Sequence, residues 1–114
     1  MRGIVLIGVV ALFTGCATQK TLYAWGGYED LIYVSYSAPG KLSPEDQIEK
    51  LEQDYQKAQA TGALMPPGWH AHLGSLYAQS GHPEEARREL LKEKAQFPES
   101  DVFVDHLLSN LNKP

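Results

Sequence analysis

The sequence predicts an all-α fold of about five short helices, and three observations carry that prediction. Apolar side chains recur at steps of three and four in successive segments, the spacing that lines one face of a helix. Two segments open on proline followed by acids, Ser43-Pro44-Glu45-Asp46 and Pro83-Glu84-Glu85. Proline's missing N–H costs nothing at a first helical position, and the acids sit at the positive end of the helix dipole. Gly62, Gly81 and Pro98 then punctuate the ends, glycine as a C-cap and proline as a stop.

Element by element, the first candidate helix lies within Leu22–Tyr36, where Tyr28, Leu31, Ile32 and Tyr36 share a face. Gly26-Gly27 weakens its start. A strand competes over Leu31–Tyr36, which is β-branched and aromatic. An echo favours the helix: Trp25 and Tyr33 recur 44 residues on as Trp69 and Tyr77, inside a stretch that reads as helical. Ala38-Pro39-Gly40 breaks the chain. The second helix starts at the Ser43 cap, buries Ile48, Leu51, Tyr55 and Ala58, and stops at Gly62. Met65-Pro66-Pro67-Gly68 forms a stiff link, with Pro67 able to open a third helix over Trp69–Ser80 that carries Leu73, Leu76 and Tyr77 on one side.

After the Gly81-His82-Pro83 corner, the fourth helix buries Ala86, Leu90 and Phe97, with Leu91 and Ala95 beside them. Glu84 and Arg88, four apart, form a solvated pair worth a few tenths of a kcal/mol. Ser100 caps a fifth helix whose stripe is Phe103, Val104, Leu107, Leu108 and Leu111. The first four helices make two antiparallel hairpins and the fifth covers the end. None is long enough to be stable alone, so packing of the apolar faces must hold them.

Residues 69–98 resemble the tetratricopeptide repeat. Leu73-Gly74, Tyr77, Gly81, Ala86, Leu90 and Pro98 match its offsets. Small Gly74 and Ala86 let two helix backbones approach, while Leu73, Tyr77 and Leu90 fill the space around them. Glu93 departs, standing where the repeat usually has alanine. The echo from Trp25 reads as a degenerate earlier copy, at a spacing of 44 against the usual 34. The loop over residues 37–42 and the proline-rich link could absorb the difference.

The N-terminal block reads as a processing signal. Met1-Arg2 is positive, and Gly3 to Phe13 carries no charge. That run is below the roughly 20 residues a helix needs to span a bilayer and suits a signal-peptide hydrophobic region. It ends in Leu12-Phe13-Thr14-Gly15 before the single cysteine, Cys16. This resembles the bacterial lipobox, with Phe13 where leucine is usual, and it makes Cys16 the expected lipidation site. By analogy with lipoprotein sorting, the absence of aspartate after Cys16 directs the protein to the outer membrane. The expected organisation is a signal peptide over 1–15, a lipidated tether over 16–21 and a helical domain over 22–114. Cleavage removes Arg2 and leaves nine basic against fourteen acidic side chains. An acidic body gains nothing from an anionic bilayer surface, so attachment rests on the lipid.

The same acidity argues against nucleic-acid binding. One cysteine excludes a disulfide framework and every multi-cysteine metal site. His70 and His72 are two apart and point in different directions on a helix, whereas paired helical ligands sit three or four apart. No nucleophile elbow or phosphate-cradling glycine loop occurs. The expectation is a protein that is not an enzyme and takes no cofactor, metal or small-molecule substrate. Tyr23, Trp25, Tyr28, Tyr33 and Tyr36 are the notable cluster. They either fill the core of the first hairpin or form a partner-binding patch, and the candidate contact residues are Tyr23, Trp25, Tyr28 and Trp69. For Trp69, core is the favoured role.

The chain as a whole resembles a family of small bacterial lipoproteins catalogued as a domain of unknown function, numbered 4810. The resemblance is carried by Cys16-Ala17-Thr18, Lys20-Thr21-Leu22-Tyr23 with Trp25 and Tyr28, and Pro66-Pro67-Gly68. It continues through Gly81, Glu85-Ala86, Glu93-Lys94, Phe97-Pro98-Glu99-Ser100, Val102-Phe103 and Asp105. It implies an outer-membrane lipoprotein made with a lipoprotein like the curli secretion channel and with another lipoprotein; the expected address is the outer membrane, lipid-anchored, on the periplasmic face. It implies no established activity. The expected function is therefore a lipid-anchored interaction or assembly module. The alternative is a holdase-like module that binds a peptide or small ligand in the groove between hairpins.

Overall fold

The computed structural model describes Gly15 and residues 22–114. The expected leader and Cys16, the expected lipidation site, lie outside the described residues. Five helices follow one another: α1 (Tyr28–Ser37), α2 (Pro44–Thr61), α3 (Trp69–Gln79), α4 (Pro83–Gln96) and α5 (Asp101–Leu111), with a 3-10 turn at Pro98–Ser100. Among the described residues the fold is all-α. The competing strand over Leu31–Tyr36 does not form.

The caps explain the boundaries. The Asp46 N–H donates to Ser43 Oγ at 3.0 Å, and Pro44 is the first residue of α2. Gly62 ends that helix at φ +71°, a left-handed conformation that glycine adopts without a Cβ penalty. Ser100 departs from its expected role. Its Oγ donates to the Phe97 carbonyl at 2.6 Å, and Asp101 Oδ1 takes the Val102 N–H instead.

α1 runs antiparallel to α2, tied at its start by the Gly27 N–H to Asp54, but lies less closely against it than α3 does against α4. Leu31 is the one fully buried residue of α1 and shares a core with Leu51, Ala58, Met65, Trp69, Leu73 and Leu76. Near the other end of α1, Ser35 Oγ donates to Gln47 Oε1 at 3.1 Å. α3 and α4 form the second hairpin, and here the two backbones nearly touch. A Cβ on Gly74 would lie 3.1 Å from the Ala86 carbonyl oxygen and 3.0 Å from Leu90 Cγ, so Gly74 and the buried Ala86 set the helix separation as their sizes predict. α5 closes the end by placing Val104 against Ala71 and Leu90.

Two apolar stripes are narrower than their sequence suggests. On α4, Ala86 and Leu90 are buried, as is Phe97 just after it, but Leu91 and Ala95 are exposed because no further layer among the described residues covers that flank. On α5 only Val104 is fully buried, and Phe103 faces solvent while Leu107, Leu108 and Leu111 sit at the margin. Nor do Glu84 and Arg88 pair. The ion pairs among the described residues are His70–Glu89, Lys92–Glu89 and Lys94–Asp105.

Candidate interaction surface

The N-terminal aromatic cluster divides between core and surface. Residues 22–25 run extended beside the α2–α3 link, where Tyr23 makes a parallel bridge with Leu64 and the Ala24 N–H donates to the Leu64 carbonyl at 2.7 Å. Gly26 turns the chain at φ +49°, and Asp54 Oδ2 accepts the Gly27 N–H at 2.9 Å. A Cβ on Gly26 would fall 2.6 Å from that carboxylate. The glycine pair thus admits Asp54 to the start of α1. Its cost in helix propensity is local.

From this turn Tyr23 leans on Phe97 with ring centroids 6.1 Å apart, half-buried, while Trp25 stacks on Tyr28 at 6.5 Å and stays 43% exposed. Tyr28 is half-buried and edge-on to His72. Its burial, and then the nearby Glu93 carboxylate, raise its pKa above the ordinary value. Farther along α1, Tyr33 and Tyr36 are 72% and 83% exposed. With Tyr28, Glu29 and Ile32 they line one shallow groove on the outer face of the helix.

Trp69 requires a correction as a contact candidate. It is 0% exposed, stacked on Tyr55 at 5.7 Å and edge-on to His70 at 4.9 Å. A side chain so enclosed has no area left for a partner. Its role is core.

A buried polar network, unforeseen from the sequence, joins α2, α3 and α4. Gly68 caps α3 with a left-handed backbone and no side-chain oxygen, and the first turn of α3 holds no acid. The acceptor comes from α4. Buried Glu93 accepts the Gly68 N–H at 2.7 Å through Oε1 and the Ala71 N–H at 3.3 Å through Oε2. This accounts for Glu93, the position that departs from the repeat pattern the sequence resembles. The signal that could have revealed it is a helix start with a capping glycine and no local acceptor for its orphan N–H groups.

One turn earlier, buried Glu89 receives His70 Nδ1 at 2.7 Å and Lys92 Nζ at 2.8 Å. Burial pushes the Glu89 carboxyl up, but hydrogen bonds and charge from His70 and Lys92 outweigh it, so the net pKa lies below the usual carboxylate value. Lys92 Nζ also stands 5.2 Å over the Tyr55 ring. Tyr77 Oη donates to Glu52 at 2.7 Å, and burial followed by that bond raises its pKa to about 12. Among the described residues, no three histidine, cysteine, aspartate or glutamate side chains converge to hold a metal ion.

His72 gives a pH prediction. Its Nε2 is buried without a partner, and burial lowers its pKa from the ordinary 6.5. The unfolded chain takes up the proton first as pH falls below 6.5, so the contribution of neutral His72 to stability is present above that pH and lost on acidification. Glu89 adds loss in the same direction, beginning near the ordinary carboxyl value of 4.5. The urea midpoint is expected to fall between about pH 7 and pH 5, and His72→Gln to flatten that part of the profile.

The aromatic segment, the glycine turn and both hairpins lie within residues 22–107, over which the chain matches the domain of unknown function DUF4810. The chain belongs to this family. The DUF4810 match starts at Leu22, where the described body starts, and runs into α5. No curated protein and no solved structure matches the chain. Among the described residues of this DUF4810 chain, no helix is long and apolar enough to cross a membrane.

Proposed function

We propose that the protein is a lipid-anchored envelope protein whose tetratricopeptide-like hairpins form a protein–protein interaction module. The outer face of α1 is the docking surface. The observation that carries this reading is the pair of tyrosines, Tyr33 and Tyr36, held mostly in solvent beside Ile32 and half-buried Tyr28. Tyrosine buries a large rigid area at low entropic cost and is enriched among residues that dominate binding energy. No catalytic role is assigned to any residue.

In this reading Cys16 carries the acyl anchor, and the chain sits on the periplasmic face of the outer membrane. The lipobox resemblance supports that address. The partner proposed is a lipoprotein like the curli secretion channel, on the strength of the family resemblance. Association would let a small lipid-held domain assist assembly or stabilise the channel ring.

Affinity capture from detergent-solubilised envelopes tests the module. The native chain is expected to retain a lipoprotein partner. The Tyr33→Ser/Tyr36→Ser double variant should lose about tenfold or more in capture, as expected for hot-spot aromatics, with its helical circular dichroism unchanged. Equal capture by both chains counts against the α1 face. Mass spectrometry of the mature N-terminus tests the anchor, because an unmodified Cys16 removes it.

A further inference from the structure

We propose that the end of the body bearing Leu22, Trp25 and Leu64 rests in the headgroup layer of the bilayer that holds the acyl anchor. This inference rests on the lipid-anchor reading of Cys16. The two segments meeting at this end, residues 22–28 and 62–69, contain no Asp, Glu, Lys or Arg, in a chain that is 21% charged. The Tyr23–Leu64 bridge holds them side by side. Three large apolar side chains project from them: Leu22 is 68% exposed, Trp25 43% and Leu64 49%. Borne on segments joined by that bridge, they add apolar area that gains by leaving water; the charge beside it is the Asp54 carboxylate, which accepts the Gly27 N–H at 2.9 Å.

Chain length places this end at the membrane. Cys16 and Leu22 are six residues apart, and a chain that short spans at most about 20 Å however it is folded. Acyl chains inserted from Cys16 therefore keep Leu22 and its neighbours close to the headgroups. Tryptophan has an apolar ring and one N–H donor, the combination favoured at membrane–water interfaces. The acids nearest in sequence, Glu29 and Asp30, lie on α1 beyond the glycine turn. The protein-docking face is not consumed by this contact. Tyr36 stands eight residues along α1 from Tyr28, about 12 Å up the helix axis, so it can face a partner while Trp25 faces lipid.

The chain's two tryptophans make the test direct, because Trp69 is wholly enclosed and Trp25 is not. The mature protein, purified from membranes, is reconstituted into phosphatidylethanolamine–phosphatidylglycerol vesicles with plain or brominated acyl chains. The same sample is weighed by mass spectrometry. With the acyl mass present, brominated lipid should abolish most of the Trp25 emission. That loss should disappear in Trp25→Phe, which reports Trp69 alone. Leu22→Asp/Leu64→Asp should restore the emission and the access of acrylamide to Trp25. Acylated protein whose Trp25 stays unquenched by bromolipid and open to acrylamide overturns the membrane seat and leaves the anchor standing. Absence of the acyl mass overturns both. Shielding of Trp25 in native envelopes but not in lipid-only vesicles identifies a protein as the occupant and also overturns the proposal.

Discussion

Trp69→Ala is expected to destabilise the domain by about 3–5 kcal/mol, the range for deleting a large aromatic from a packed core. A domain this small has a total margin on the order of 5–15 kcal/mol, so the variant should be largely unfolded at modest urea concentrations. Trp69 joins both hairpins: it starts α3, stacks on Tyr55 of α2 and shares its core with Leu31 of α1. Trp69→Phe should cost much less. It keeps an aromatic surface against Tyr55 and removes an indole N–H that is buried without an acceptor. Urea titration followed by circular dichroism at 222 nm separates the two. If Trp69→Ala unfolds within experimental error of the native chain, the core is not centred where we place it.

Glu93→Ala should come second, at about 2–3 kcal/mol, because it strands the Gly68 and Ala71 N–H groups and leaves no carboxylate at the positive end of α3. The Ala71 bond is long at 3.3 Å, which places the estimate below the sum of two full penalties. Glu93→Gln keeps one acceptor oxygen but turns an amide NH2 toward a backbone donor, so it should recover only part of the loss. Alanine is the residue expected here from the repeat, and a consensus argument would forecast stabilisation. A Glu93→Ala chain as stable as the native one would show that α3 finds its cap elsewhere.

These two residues mark where sequence reading succeeds and where it stops. Helix starts and stops were legible because Ser43, Pro44, Gly62, Gly81 and Pro83 act on their own neighbours. The close approach at Gly74 was legible too, since small residues on facing helices have few other uses. Glu93 was not, because its partner Gly68 is 25 residues away and only packing of α3 on α4 brings them together. Likewise Glu89 and His70, 19 residues apart, meet only when the hairpin forms and encloses them. The α5 stripe misled for the opposite reason. Its spacing is that of a core helix, but among the described residues nothing packs over Phe103, which is 58% exposed.

The aromatic cluster shows the same limit at the candidate site. Tyr23, Trp25, Tyr28, Tyr33 and Tyr36 share one short segment, yet Gly26 and Gly27 split their fates. Tyr23 and Tyr28 turn inward onto Phe97 and His72, while Tyr33 and Tyr36 are left outside by a helix whose buried face narrows to Leu31. That division could not be read from spacing, since Tyr28, Ile32 and Tyr36 share the helical period with Leu31. It matters for the proposed function because it puts the candidate docking surface on the outer turns of α1 rather than at Trp69.

Site-specific photocrosslinking in the native envelope tests the account most directly. A photoreactive residue is placed at Tyr36, with a control at Gln56 on the exposed side of α2, and the joined chains are identified by mass spectrometry. A single envelope lipoprotein captured at position 36 and absent at position 56 is the predicted result. Capture of the same abundant proteins at both positions, or of none at 36, would contradict the claim that this small helical body works by holding another protein on its first helix.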